Sequence, residues 1–213
     1  MKLLTLNINF KGLTSARIHK ICELIQEHNP DIIFLQEVLN QNVSEFLKME
    51  QYPFHFGTKF QHPYDTLILS KYPCIRYDRF PLPLTQSHRN LLIAEIILPS
   101  AQTLFVGTFH CESVFGTTDS EQEILKLDQL SFIGSILKYK LFIIAGDTNL
   151  THNEKTTIPT LNELNSPATF NNQKRFDRVF VSSGFTNSST QLIGDATHSD
   201  HRGLVIYINL NAQ

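Results

Sequence analysis

An apolar run, Ile143-Ile144-Ala145, leads straight into Gly146-Asp147-Thr148-Asn149. Side-chain direction repeats every second residue along a strand, so the Asp147 carboxylate and the Asn149 carboxamide fall on one side of a sheet edge. Placed there, they can hold and orient a water molecule. The bland alternative is that Asp and Asn end strands because they start turns. The pair gains weight from other polar clusters that stand at strand ends in the same way.

Asn7 closes the run from Leu3 to Leu6 and by itself reads as a turn residue. Glu37 follows Gln36 at the end of Ile32-Ile33-Phe34-Leu35. A carboxylate there is either a solvated strand end or a ligand for a hard cation, and magnesium takes one or two protein carboxylates while keeping its waters. His110 ends the run Leu104 to Phe109, with Glu112 and Ser113 just beyond. A histidine at a strand end is more often structural than catalytic. Asp177 is a charge inside an apolar strand. It either pairs with a neighbouring arginine or orients a histidine and raises that histidine's pKa. Ser199-Asp200-His201 precedes the last apolar run. It is a turn, or it supplies a metal-side carboxylate and a phosphate-side imidazole. Arg89 and Asn90 either face a substrate groove or make an ion pair at a strand start. Cys111 points away from His110 and Glu112 and reads as core, and Arg178 is expected to pair with a surface acid.

The elements that must position these residues follow from periodicity. Strands are expected at Leu3–Phe10, Asp31–Glu37, Phe54–Phe56, Thr66–Ser70, Leu91–Leu98, Leu104–Phe109, Leu141–Ala145, Phe176–Val181 and Leu204–Ile208, with Gln191–Ile193 pairing one of the last. A helix capped by Thr14 or Ser15 carries Ile18, Ile21, Cys22 and Ile25 on one face, and Pro30 ends it. A short helix is expected at Val43–Met49. A capping box at Ser120-Glu121-Gln122-Glu123 opens another, with Ile124, Leu127 and Leu130 inward. Asn162 to Lys174 is the longest stretch without periodicity and reads as a loop. Mixed strands and helices of this kind suit an α/β fold with two sheets face to face and helices outside.

The chain has 213 residues, 41% hydrophobic and 18% charged, enough for a sizeable core, and is expected to be one domain over 1–213. Its net charge of -2 gives no general positive field for nucleic acid, so phosphate must be met by a local site. Cys22, Cys74 and Cys111 form no close pair and read as reduced thiols. No run has the length of a signal-peptide core or a membrane span, so an intracellular protein, cytoplasmic or nuclear, with no membrane partner is expected.

Taken together, Asn7, Gln36-Glu37, Gly146-Asp147-Thr148-Asn149 and Ser199-Asp200-His201 resemble the signatures of the endonuclease/exonuclease/phosphatase superfamily. The resemblance covers Leu3 to about Ile208. Arg89-Asn90-Leu91-Leu92, His110-Cys111-Glu112-Ser113 and Arg175-Phe176-Asp177-Arg178 are similar, more narrowly, to its branch that cleaves tyrosyl–DNA phosphodiesters.

The resemblance implies a four-layer sandwich of two mixed sheets and a magnesium-dependent phosphodiesterase, with manganese able to substitute. Glu37 would hold the metal, with Asp200 and Asn7 close. Asp147 would deprotonate the attacking water, Asn149 would orient it or a phosphate oxygen, and His201, held protonated by Asp177, would donate to a non-bridging oxygen. His110 and Ser113 would hold other phosphate oxygens, and Arg89, Asn90 and Phe170 would face substrate. The implied partner is a DNA 5′ end bearing a tyrosine adduct, single-stranded or overhanging, and a monomer is expected. Two departures bear on substrate: Thr151-His152 stands where the family commonly has Arg, and Phe170 where it commonly has Trp. With Leu3 already in the first motif strand, the chain is expected to be the catalytic unit alone. The alternatives are another nuclease, phosphatase, or RNA or lipid phosphodiesterase on the same scaffold, or an inactive binding module.

Overall fold

A computed structural model describes residues 1–113, 118–138, 140–150, 155–158, 160–171 and 173–210, with only the backbone at 187. The chain runs β1 (Lys2–Asn7), α1 (Ser15–His28), β2 (Ile32–Leu39), α2 (Val43–Leu47), β3 (Phe54–Phe56), β4 (Tyr64–Ser70), β5 (Cys74–Pro81), β6 (Asn90–Ile97), β7 (Thr103–His110), α3 (Asp119–Leu137), β8 (Phe142–Asp147), β9 (Asn162–Glu163), β10 (Asp177–Val181), β11 (Phe185–Ile193) and β12 (Gly203–Leu210). The strands form two six-stranded sheets, β11-β12-β1-β2-β4-β3 and β5-β6-β7-β8-β10-β9.

Each sheet contains one parallel pair, β1 with β2 and β7 with β8, and each pair is joined through a helix, α1 or α3. A parallel crossover needs such a connection, and its helix covers the sheet's outer face. Three apolar clusters follow. Ile18, Ile21 and Ile25 of α1 pack on Leu4, Leu6, Ile33 and Leu35. Phe34, Ile68, Val106, Ile143 and Ile206 fill the space between the sheets. Leu130, Ile133 and Leu137 of α3 pack on Phe109, Phe142, Ile144 and Phe180. The layers are therefore helix, sheet, sheet, helix, as expected.

Register gathers the polar strand ends at one rim. Asn7 lies opposite Gln36, His110 opposite Asp147, and Asp177 opposite Asp147. Gly146 makes the β7–β8 approach possible: a Cβ there would lie 2.0 Å from the Phe109 carbonyl oxygen. β2 is bulged between Leu35 and Val38, and Glu37 within the bulge sits at φ +61°. A bulge re-aims a side chain and often accompanies a site, and a non-glycine residue in this region stores roughly 1–3 kcal/mol of strain.

The structure bears out some of the local expectations and corrects others. α1 is capped by Thr14, whose hydroxyl accepts from Arg17 N at 3.2 Å, and is closed by Asn29 at φ +43°. The capping box of α3 starts at Thr118, which exchanges bonds with Glu121; Ser120 lies inside the helix. Ile124 is 61% exposed, while Lys126 and Gln129 are buried beside Leu130. The inner face of α3 is partly polar because it serves the rim: Lys126 Nζ donates to Asn149 O at 2.6 Å, and Gln129 Oε1 accepts from Glu112 N at 2.9 Å. β5 carried no periodic signal because it is an edge strand with most side chains exposed. β11 extends back to Phe185 through a polar stretch and pairs with β12 on both sides of a bulge between Thr186 and Ser189. The segment expected as a loop contains β9, which pairs with β10, and a bridge from Phe170 to His201. Arg178 is fully buried, not surface-paired: its Nη1 donates to Thr156 Oγ1 at 2.8 Å and to the buried Glu163 at 3.2 Å.

Candidate active site

Asp147, at the end of β8, is the point on which the rim converges. Its Oδ1 accepts from Asn149 N at 2.8 Å. Around its Oδ2 stand Asn7 Nδ2 at 2.9 Å, His110 Nε2 at 3.5 Å and His201 Nε2 at 3.7 Å. Asn7 Nδ2 also reaches Glu37 Oε1 at 3.3 Å, so one amide bridges the two carboxylates. Burial in this pocket raises the Asp147 pKa to about 6, against the opposing pull of the His201 charge.

His201 is fixed from three sides. Its Nδ1 lies 2.8 Å from Asp177 Oδ2, its backbone N donates to Ser199 Oγ at 3.2 Å, and the Phe170 ring lies 4.9 Å from its own. Ser199 Oγ in turn donates to Asn7 O at 2.7 Å, tying the Ser-Asp-His turn to the end of β1. Burial works against an imidazolium here, but Asp177 and Asp147 outweigh it and raise the pKa to about 10. His201 is therefore a cation at neutral pH.

His110 is the opposite case. Its Nδ1 is 2.6 Å from Arg89 Nη1. A guanidinium only donates, so Nδ1 must be the acceptor, and the remaining proton sits on Nε2 toward the carboxylates. Burial first, then Arg89 and His201, push its pKa well below the ordinary value, which keeps it neutral. The two histidines beside Asp147 thus carry different charges, set by a carboxylate behind one and an arginine behind the other.

Arg89 continues outward. Its Nη2 donates to Ser113 Oγ at 3.2 Å, and its guanidinium lies 5.5 Å from the centre of the Tyr64 ring, which stacks on Phe10 at 4.4 Å. Sequence reasoning missed Tyr64: a lone tyrosine before a strand carries no signal until β2 and β4 are in register. It also missed Phe176, stacked on Phe170 at 4.8 Å, although it stands beside Asp177 in the motif. Asn90, expected at the groove, has both amide atoms engaged by Asp65, Thr66 and Arg79. Asn149 sits at φ +52° and donates through Nδ2 to Cys111 O at 3.0 Å, so it braces Asp147 and the β7 end together. Gln36 bridges the sheets beneath the site, donating to Thr5 and Thr108. Thr151 and His152 lie outside the described residues.

Two groups could hold a metal. Asp147, Asp177 and His201 form a buried Asp-Asp-His cluster with one ligand atom from each within 4.8 Å of the others. Asp177 Oδ2 is already bonded to His201 Nδ1 at 2.8 Å, the arrangement of an ion-paired relay. Glu37 and the exposed Asp200, with Asn7, edge an open cleft of about 230 Å³. Phe10 N steadies Glu37 through Oε2 at 3.0 Å. The donors there are hard oxygens, and the Cys111 thiol is buried away from them, which suits a magnesium-like cation. No helix among the described residues is long and apolar enough to cross a membrane.

Fold and rim together define a class. The chain belongs to the Endonuclease/Exonuclease/phosphatase family, whose model matches residues 4–201. Within it, the chain is 31% identical over 159 residues to tyrosyl-DNA phosphodiesterase 2 of Homo sapiens, covering 72% of this chain and 43% of that protein. It is 29% identical over 164 residues to the Danio rerio protein of the same name, covering 74% and 44%. The chain thus matches less than half the length of these relatives. A humanized D. rerio TDP2 bearing 14 mutations has a TM-score of 0.84 at 25% identity, over 98% of both chains. A D. rerio TDP2 complexed with a single-strand DNA product shares the fold at the same TM-score and 24% identity.

Proposed function

We propose that this protein is a magnesium-dependent phosphodiesterase that hydrolyses the 5′-phosphotyrosyl bond between a protein tyrosine and DNA, leaving a 5′-phosphate. The observation that carries the reading is the convergence of Asn7, His110 and His201 on Asp147 Oδ2, beside the oxygen donors Glu37 and Asp200. Similarity to relatives named for this activity supports the choice of substrate.

Glu37 and Asp200 would hold the metal, which when bound neutralises phosphate charge and stabilises charge on the leaving oxygen. Asp147 orients water and takes its proton; a carboxyl raised to about 6 is mostly ionised at neutral pH yet more basic than an ordinary carboxylate. Asn7 holds Asp147 against Glu37, so the base and the metal-side carboxylate keep one spacing. His201, cationic and backed by Asp177, donates through Nε2 to a non-bridging oxygen as phosphorus becomes five-coordinate. Neutral His110 offers its Nε2 proton to the same phosphate, while Arg89 and Ser113 present charge and a hydroxyl at its far side. A tyrosine phenol, with a pKa near 10, departs with little acid assistance. The site accordingly needs no separate acid on the leaving oxygen.

The test is a substrate panel run with magnesium: a single-stranded oligonucleotide with a 5′-phosphotyrosyl end, an abasic-site duplex and an unmodified strand. Turnover of the tyrosyl end alone is expected. Cleavage of the others with the tyrosyl end untouched would overturn the substrate assignment and keep the family.

A further inference from the structure

His62 and His88 stack face to face outside the catalytic cleft, with ring centroids 3.7 Å apart and planes within 4°. They flank a second cleft of about 280 Å³ that shares Arg89 with the catalytic one. From the stacked pair and its surroundings we infer that this outer cleft is a seat for a nucleobase of the bound strand, close to the scissile phosphate. The inference rests on the nucleic-acid reading of the site.

The stack is presented by a built framework. Glu112, fully buried, accepts through Oε2 from Thr85 Oγ1 at 2.9 Å, Gln86 N at 2.6 Å and Ser87 N at 2.9 Å. Thr85 Oγ1 also accepts from Arg89 N at 2.7 Å. The turn before β6 is therefore clamped at both ends, and it delivers His88 at φ +56°, exposed, onto His62.

Apart from the exposed Gln61, the remaining polar lining already has partners. Arg79 is paired with Asp65 and donates through Nη1 to Asn90 Oδ1 at 2.8 Å and through Nη2 to Gly57 O at 3.1 Å. Asn90 Nδ2 donates to Asp65 Oδ1 at 2.6 Å. A floor so satisfied offers little to an anion, and besides the neutral Gln61 amide at the rim what the cleft has left for a ligand is ring surface. Nor does the histidine pair suit a metal. The nitrogen lone pairs lie in the ring planes, and two parallel planes do not converge on one ion. Flat π-surface beside a phosphate site is how proteins grip single strands: bases stack on aromatic or imidazole rings without regard to their identity.

The experiment measures KM and kcat for the 5′-phosphotyrosyl oligonucleotide with His62→Ala, His88→Asn and His62→Phe. Asn tolerates the left-handed backbone at 88. A several-fold to about hundredfold rise in KM is expected for the first two, the range that one stacked base supports, with kcat unchanged and His62→Phe near the parent. Substrates with a single abasic nucleotide at each of the first few positions should reproduce the rise in the parent at one position and add nothing in His88→Asn. A KM that neither variant nor base removal moves overturns the inference, as does a rise that survives base removal, which would put the tyrosyl ring in the seat. If no DNA end is turned over, oligothymidylate and a fully abasic chain of equal length are titrated against the His62 and His88 imidazole NMR signals. Shifts with bases only uphold the seat while the enzymatic reading fails; no shift, or equal shifts, overturn it.

Discussion

His201 Nδ1 lies 2.8 Å from Asp177 Oδ2, and Asp177 is the cross-strand partner of Asp147. One strand pairing, β8 against β10, therefore sets both the candidate base and the group that keeps the neighbouring imidazole charged. Replacing Asp177 by Asn removes the main charge that raises the His201 pKa, while the opposing burial stays. The protonated form, which otherwise persists to about pH 10, is then lost at lower pH. A pH–rate profile should show the alkaline limb moving down for Asp177→Asn, with a tenfold or greater loss at neutral pH. An unmoved limb would contradict the relay.

Glu37, the proposed metal-side carboxylate, sits on a strained backbone at φ +61°. Glu37→Gly and Glu37→Ala both remove the carboxylate, but only Gly relaxes the strain. Urea unfolding should find the Gly variant more stable than the Ala variant by about 1 kcal/mol. Both should lose magnesium-dependent turnover. Equal stability would show that the bulge relaxes without Glu37.

Glu112 links the site to acid stability. Burial opposes its charge, but bonds from Ser87, Gln86 and Thr85 prevail and hold the pKa below the ordinary 4.5. A depressed folded pKa contributes stability above the unfolded value and loses it as pH falls through the folded one. Thermal melts should therefore decline below about pH 4.5, and Glu112→Gln should be less stable at neutral pH and decline less over that window.

Gly146→Ala would place a Cβ 2.0 Å from the Phe109 carbonyl oxygen, where only backbone can give way. A loss beyond the ~1–3 kcal/mol of ordinary overpacking is expected, read as a fall in the midpoint of denaturant unfolding. An unchanged midpoint would mean that the β7–β8 pair can part without cost.

The candidate rim could be read in the chain because most of its members close or open an apolar run and Asp177 interrupts one. Asn7, Glu37, His110, Asp147, Asp177 and His201 are all marked locally, and the parallel pairs β1–β2 and β7–β8 with the antiparallel pairs β8–β10 and β1–β12 then bring them to one edge. What was not legible depends on distant partners. Tyr64 matters only because β4 lies beside β2, and the His62–His88 stack needs two turns to meet. Arg178 looked like a surface charge because its acid, Glu163, sits in a segment without periodicity. β5 lacks alternation because most of its side chains are exposed on both faces of the sheet edge. Ile124 was misplaced because the helix turns two polar residues inward to hold the rim.

The most direct measurement is Asp147→Asn against the parent on a 5′-phosphotyrosyl oligonucleotide with magnesium, with circular dichroism to establish the fold. A fall of a thousandfold or more in the rate at which 5′-phosphate ends form, with tyrosyl-end binding retained, is the expected result for the residue that takes the proton from water. A folded Asp147→Asn protein that keeps more than a tenth of the rate would contradict Asp147 as the base.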